Sequence, residues 1–187
     1  MKEIVAGIDI GGTNTTYGFV DKHGQCHLKN TLQTRAFSDI EVFIKKLQES
    51  IKQNLTDLDE EYELKGIGIG APNGNFFQGT IENAPNLNWK GIVPFVEIMK
   101  KHFDQPVVLT NDANAAAIGE MIFGGAENMK DFIVITLGTG LGSGIVVNGD
   151  VVYGHDGFAG ELGHSVVHPE GRYCGCGRRG CLETYVS

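Results

Sequence analysis

The sequence predicts an α/β protein built from two half-molecules, and three observations carry that reading. Runs of β-branched residues alternate with stretches of helical periodicity. Glycine is abundant, 27 of 187 residues, against about 7% in ordinary proteins. These glycines cluster after strands, at 11–12, 68–79, 138–144 and 154–180, which marks functional loops on a scaffold and not a low-complexity tract. Finally, "GIDIGGTNTTYGFV" and "ITLGTGLGSGIVVN" share one arrangement of strand, glycine turn and strand. Two halves with facing glycine hairpins would form a cleft suited to a polyphosphate. The boundary is expected near Thr110, giving a small α/β domain over 1–110 and the beginning of a second over 111–187.

Taken in order, "EIVAGIDI" at 3–10 is a β-branched run ending in Gly-Gly, a strand and a turn. Residues 15–21 and 26–34 read as the next strands, joined by "DKHG", so the chain opens antiparallel. Ser38 and Glu41 fit a capping box. The helix that follows places Ile40, Phe43, Ile44, Leu47 and Ile51 on one face. "KGIGIGAP" at 65–72 is a fourth strand, 91–103 a second helix and 106–112 a buried strand. The Ala-rich "NDANAAAIGEMIF" is a helix closed by Gly124-Gly125. Residues 131–138 and 144–154 read as strands around the glycine loop.

The charged fraction is 20%, the hydrophobic fraction 41% and the net charge -8, an ordinary globular composition. An acidic chain lacks the basic face that nucleic acid demands, so no nucleic-acid partner is expected. No apolar run reaches the length of a membrane span, and the opening residues do not read as a signal peptide. The expected compartment is the cytoplasm, with no membrane partner.

Four stretches carry chemistry. Asp9, Gly11, Gly12 and Thr13 close the first strand: either a phosphate-binding turn with exposed amides, or a tight hairpin in which Asp forms the turn. No Gly-Lys-Ser/Thr follows, so this is not a Walker loop. In "VITLGTGLGSG" at 134–144 a strand follows the glycines, not the helix of a dinucleotide fold; a second phosphate hairpin competes with a structural bend. Asn111 and Asp112 stand where a strand ends and a helix begins; on this stretch alone a helix cap is the preferred reading over ligand binding, and capping does not exclude catalysis. Cys174, Cys176 and Cys181 lie within eight residues in a turn-rich loop. Such a cluster in a cytosolic chain favours metal over disulfide. Three thiolates require one more ligand for a closed, structural tetrahedral zinc site, and spacing does not choose between His164 and His168. Three free thiols in a mobile loop is the alternative. Arg178 and Arg179 are read as a solvated turn in preference to a phosphate clamp.

Together "IDIGGT", "NDANAAAIGE", "LGTGLGSG" and "CGCGRRGCLETYVS" resemble, in order, the motifs of the ROK family of repressors, open-reading-frame proteins and sugar kinases, and the match spans the whole chain. The resemblance implies an actin-like, ribonuclease H-like ATPase fold, with a mixed sheet, flanking helices and ATP and sugar in the interdomain cleft. It implies an ATP-dependent kinase phosphorylating an aldohexose, glucose by default, at the 6-hydroxyl, with Asp112 as general base. Asp9 would stand near Mg²⁺, while Gly11, Gly12, Thr13, Gly138, Thr139 and Gly140 approach the phosphates. The sugar set carries over to Asn83, Asn111, Asp112, Glu161, His164 and Glu183. The resemblance also selects His164 as the fourth zinc ligand beside Cys174, Cys176 and Cys181, with its other ring nitrogen reaching the sugar. A homodimer is implied for the longer protein.

The chain departs from the family pattern at Pro72-Asn73-Gly74, where many relatives carry Pro-Gly. It also ends within the helix expected after the cysteine loop, so it reads as an N-terminal fragment whose missing part would supply most adenine contacts and leave apolar surface exposed. The competing reading is a sugar-sensing regulator or binding protein of the same family without turnover. Against it, the glycine turn begins at residue 11 and leaves no room for a preceding helix-turn-helix.

Overall fold

The computed structural model describes residues 2–58 and 61–187. Its contacts divide the chain into two units, one ending at Asp112 and one beginning at Ala113.

The first unit is organised by a five-stranded mixed sheet. β1 (Lys2–Ile10), β2 (Asn14–Val20) and β3 (Cys26–Gln33) form the antiparallel start that the short connections predict. After helix α1 (Ile40–Thr56) the chain re-enters as β4 (Tyr62–Ala71), which lies parallel to β1 on its other side. β1 shows strict alternation: Ile4, Ala6, Ile8 and Ile10 are buried, while Glu3, Val5, Gly7 and Asp9 face away from the core. The buried face meets Phe43, Ile44, Leu47 and Ile51 of α1, the stripe that helical spacing predicts. Tyr17 is fully buried in this core, and its hydroxyl is satisfied by Ser50 at 2.7 Å and Asn54 at 2.5 Å.

Two local expectations are corrected here. The α1 cap is Asp39, not Ser38: the Asp39 carboxylate accepts from the amides of Glu41 at 2.8 Å and Val42 at 3.3 Å. Asp39 itself is extended, which brings its short side chain over the first turn. The helix expected at 91–103 is also much shorter. β5 (Gly74–Asn75), β6 (Thr80–Glu82) and β7 (Ile92–Val93) form a small antiparallel sheet, and α2 covers only Phe95–Lys100. Pro94 is the cause. It disfavours the helical conformation in the residue before it, so Ile92–Val93 pair with β6 and the helix starts after the proline. β8 (Val107–Asn111) then completes the large sheet in the order β3-β2-β1-β4-β8.

α3 (Asp112–Phe123) starts at the last residue of the first unit and runs into the second. Gly125 donates to the Glu120 carboxylate at 2.7 Å and Gly124 to the Glu120 carbonyl at 3.1 Å, which closes the helix. The second unit continues with β9 (Phe132–Leu137), β10 (Leu141–Val147) and β11 (Asp150–Val151), an antiparallel sheet. The single strand expected over 144–154 is therefore a hairpin. Asn148 and Gly149 have φ of 54° and 84°, the left-handed pair that a two-residue primed turn requires. The chain ends in a turn-rich segment, residues 152–182, and in α4 (Glu183–Val186). Ile133, Ile135 and Leu137 of the edge strand β9 are exposed.

Candidate active site

In the first unit the chemistry gathers beyond the carboxyl ends of β1 and β8. Asp9 pairs with Gly70 of β4, and Gly70 pairs with Thr110 of β8. The three residues form a row across the sheet on the face opposite the core, with a glycine leaving space between the two side chains. Asp112 follows two residues later, as the first residue of α3. The Asp9 carboxyl is accessible to solvent, yet its pKa lies above the ordinary carboxylate value. Partial burial among its neighbours is the largest cause, the negative charge of Asp112 adds to it, and Lys29 of β3 opposes it. Two carboxylates thus share a field at one end of the sheet, an arrangement that attracts a cation.

The β1–β2 turn is held by the Gly11 amide, which donates to the Asn14 carbonyl at 2.9 Å. Thr13 is exposed at its tip. Gly12 is required by the fold itself, since a Cβ there would stand 3.0 Å from the Asn86 Cβ and closer still to its carbonyl oxygen. Asn83 follows β6, exposed and left-handed with φ of 50°, and its amide donates to the Gly91 carbonyl at 2.8 Å. Pro72-Asn73-Gly74, where the chain departs from the family pattern, makes a tight turn: Asn73 has φ of 52° and its side chain donates to the Glu82 carbonyl at 2.9 Å.

In the second unit the β9–β10 turn is closed by the Gly138 amide donating to the Gly140 carbonyl at 3.0 Å. Gly138 and Thr139 are exposed, and nothing lies within 4 Å of a Cβ built on Gly138. The loop that follows is braced on β10. Ser143 donates its hydroxyl to the Gly160 carbonyl and accepts from the Leu162 amide at 3.2 Å. This fixes Glu161, which is exposed, and His164, which closes the short 3₁₀ turn Leu162–His164.

His164, Cys174, Cys176 and Cys181 converge, with donor atoms all within 4.8 Å of one another. His164 Nδ1 lies 3.6 Å from Cys174 Sγ, and the sulfurs of Cys176 and Cys181 are 3.7 Å apart. Tetrahedral zinc with sulfur and imidazole ligands sets donor–donor edges of about 3.5–3.8 Å; these two distances match such edges, and the full set, spread up to 4.8 Å, is compatible with that ion after a small contraction. His168 is outside this group and its ring lies against Tyr185, with centroids 6.2 Å apart. The cluster is strongly polarised. Burial pushes the Cys174 thiol up to about 12, whereas the Arg178 backbone N–H, above all, draws Cys176 down to about 6. Glu183 leans on the group, with Oε1 accepting from the Cys174 thiol at 2.8 Å and lying 3.4 Å from His164 Nδ1.

The predicted sugar set divides between the units: Asn83, Asn111 and Asp112 in the first, Glu161, His164 and Glu183 in the second. Two positioning residues escaped the sequence reading. Glu82 accepts from Asn75 at 2.9 Å and Thr80 at 2.7 Å, and so holds the segment that presents Asn83. Ser143 braces the Glu161 segment. Glu82 reaches Asn75 seven residues back and Ser143 reaches Gly160 seventeen residues on, and no local spacing announces either contact.

The ROK family profile matches residues 5–187. The chain belongs to the ROK family. Similar proteins include a glucokinase of Halalkalibacterium halodurans, 37% identical over 186 residues, covering 97% of this chain and 56% of that protein. A crystal structure of a ROK family glucokinase from Streptomyces griseus, in complex with glucose and AMPPNP, matches with a TM-score of 0.81 and 37% identity, over 98% of this chain and 57% of that one. A xylose repressor of Caldicellulosiruptor bescii is 42% identical over 123 residues, 65% of this chain and 31% of the repressor. The architecture is accordingly that of the actin-like ATPases, and the ROK chain spans about half the length of the curated relatives it matches. No helix among its described residues is long and apolar enough to cross a membrane.

Proposed function

We propose that this ROK chain is the nucleotide- and sugar-binding part of an ATP-dependent sugar kinase, with glucose as the default aldohexose and its 6-hydroxyl as acceptor. The observation that carries the reading is the carboxylate of Asp112 at the β8–α3 junction, in a chain 37% identical to a glucokinase over nearly its whole length. Residues 1–110 are taken as the small domain and 111–187 as the start of the second. A longer protein that contains the chain is taken to work in the cytoplasm as a homodimer.

Phosphoryl transfer asks the protein for positioning and charge stabilisation more than for covalent chemistry. Asp112 accepts the proton of the attacking hydroxyl. That oxygen forms a bond to the γ-phosphorus as the bond to the bridging oxygen breaks, and ADP leaves. Gly11, Gly12 and Thr13, with Gly138, Thr139 and Gly140, present amides and hydroxyls to the phosphates, since both turns expose their tips. Asp9 is the carboxylate for Mg²⁺, which neutralises phosphate charge. Asn83, Asn111, Glu161, His164 and Glu183 orient the sugar hydroxyls by donating and accepting in fixed directions.

Zinc would be held by His164, Cys174, Cys176 and Cys181, and would supply the cross-link that a loop without its own apolar core lacks. His164 meets the thiols through Nδ1; its Nε2, on the far side of the ring, is the atom to address the sugar.

The test is ADP release from MgATP across a panel of hexoses and N-acetylhexosamines, with this chain run beside a longer protein that contains it. Turnover with glucose preferred supports the reading. Sugar binding without ADP release by either would favour a regulator, the second reading, which the similarity to the xylose repressor supports.

A further inference from the structure

We infer that Glu183 couples the thiol–imidazole cluster to the glycine turn at 138–140, so that metal occupancy and the shape of that turn are linked. Its carboxylate spans the two. Oε1 takes the Cys174 thiol hydrogen bond at 2.8 Å and lies 3.4 Å from His164 Nδ1. On the other side, a Cβ built on Gly140 would stand 2.7 Å from Oε2 and 3.8 Å from the carboxyl carbon. Gly140 is therefore a cradle for this carboxylate, and its lack of a side chain is what admits Glu183 to the cluster.

The backbone around Glu183 is pinned. The Leu182 amide donates to the Ser165 carbonyl at 2.9 Å, and Thr184 donates to the Cys181 carbonyl through its amide at 3.0 Å and its hydroxyl at 2.8 Å. With both neighbours fixed, a change at the cluster reaches the turn through the side chain. Zinc would take the same Sγ and Nδ1 atoms that Oε1 contacts, so uptake must shift the carboxylate, and linkage makes the effect reciprocal: whatever displaces Glu183 from the turn side alters metal affinity, and the reverse. Glu183 is thus a positioning residue in addition to any contact with sugar. The inference rests on the metal reading of the cluster and is independent of the kinase reading.

The experiment is a double-mutant cycle read as zinc affinity, by competition with a chromophoric chelator. Wild type should take up one zinc per chain. Gly140→Ala, which touches no ligand, should change zinc affinity about 10-fold, the lower end for groups beside metal ligands. In a Glu183→Ala background the same change should have no effect. Unchanged affinity in Gly140→Ala, or an equal change in both backgrounds, overturns the coupling. Absence of stoichiometric uptake by wild type overturns the metal reading and the coupling with it, whereas uptake without coupling overturns the latter alone. A second measurement needs no variant. Zinc added to wild type should shift the Thr139 and Gly140 amide resonances and leave Asn148 and Gly149, at the other end of β10, in place. Unmoved resonances at 139–140 would sink the inference whatever the variants do.

Discussion

Gly144 of β10 lies directly against Ala117 of α3: a Cβ at 144 would stand 2.6 Å from the Ala117 Cβ and 2.6 Å from the Ala113 carbonyl oxygen. Two positions earlier, Gly142 would meet Ala113 in the same way, at 3.1 Å. The glycines of "GLGSG" therefore have two separate uses. Gly142 and Gly144 let an Ala-faced helix rest on the strand, while Gly138 opens to solvent at the turn. Gly144→Ala is expected to cost about 1–3 kcal/mol by overpacking, read from urea denaturation. Gly138→Ala should stay within about 0.5 kcal/mol of wild type, because its Cβ meets nothing. If Gly138→Ala nonetheless weakens MgATP binding, the loss comes from the ligand's side of the turn. Equal destabilisation of both variants would contradict this division.

Asp112→Asn preserves shape and removes the carboxylate proposed as proton acceptor. Turnover by a longer protein carrying this substitution should fall by about 10²–10⁴, the usual worth of a positioned base, with sugar affinity little changed. A loss under about 10-fold would remove Asp112 from that role.

Asp9 is expected to oppose stability while serving the proposed magnesium nucleotide site. Its raised pKa means that the folded chain holds this proton more tightly than the unfolded chain, so stability falls as pH rises through the ordinary value of 3.8 towards the folded one. Asp9→Asn should accordingly raise Tm at neutral pH, with the gain vanishing below pH 3.8, while weakening MgATP binding. A lower Tm at neutral pH would show that Asp9 makes stabilising contacts that outweigh its burial and its repulsion from Asp112.

The turn between β2 and β3 carries the opposite sign. Asp21 accepts from His27 Nε2 at 2.9 Å and from the amides of His23 and Gln25. The His27 hydrogen bond, foremost, holds its carboxyl down at about 2. That contribution is complete above pH 3.8 and disappears as pH falls through about 2. Across this window wild type should lose more urea resistance than Asp21→Asn. Parallel curves would show that the pair is energetically silent.

Cys176→Ser removes the thiol whose pKa the Arg178 backbone N–H, above all, lowers to about 6. Zinc per chain, by atomic absorption, should fall well below one, and sugar affinity should fall with it if His164 serves both. Zinc lost at unchanged sugar affinity would break that link.

Much of this molecule can be read along the chain, and the reason is periodicity. The buried stripe of α1, the alternation of β1, and the break after Ile10 are local consequences of which side chains avoid water. The cysteine cluster was legible because three thiols in so short a loop have few other uses. Where reading failed, a neighbour one or two residues away competed for the same job: Asp39 displaced Ser38 as the cap, Pro94 shortened α2, and Asn148-Gly149 turned an expected strand into a hairpin.

What the sequence determined by itself is the order of elements, the two glycine turns, the Asn111-Asp112 junction and the donor set for a metal. Only the tertiary structure decided which glycines are packed and which are open, and that Glu183 reaches both Cys174 and Gly140. Such choices rest on contacts between residues from 9 to more than 40 positions apart. They depend on which surfaces the sheet and helices bring together, a property of the packed chain that no local pattern of side chains encodes.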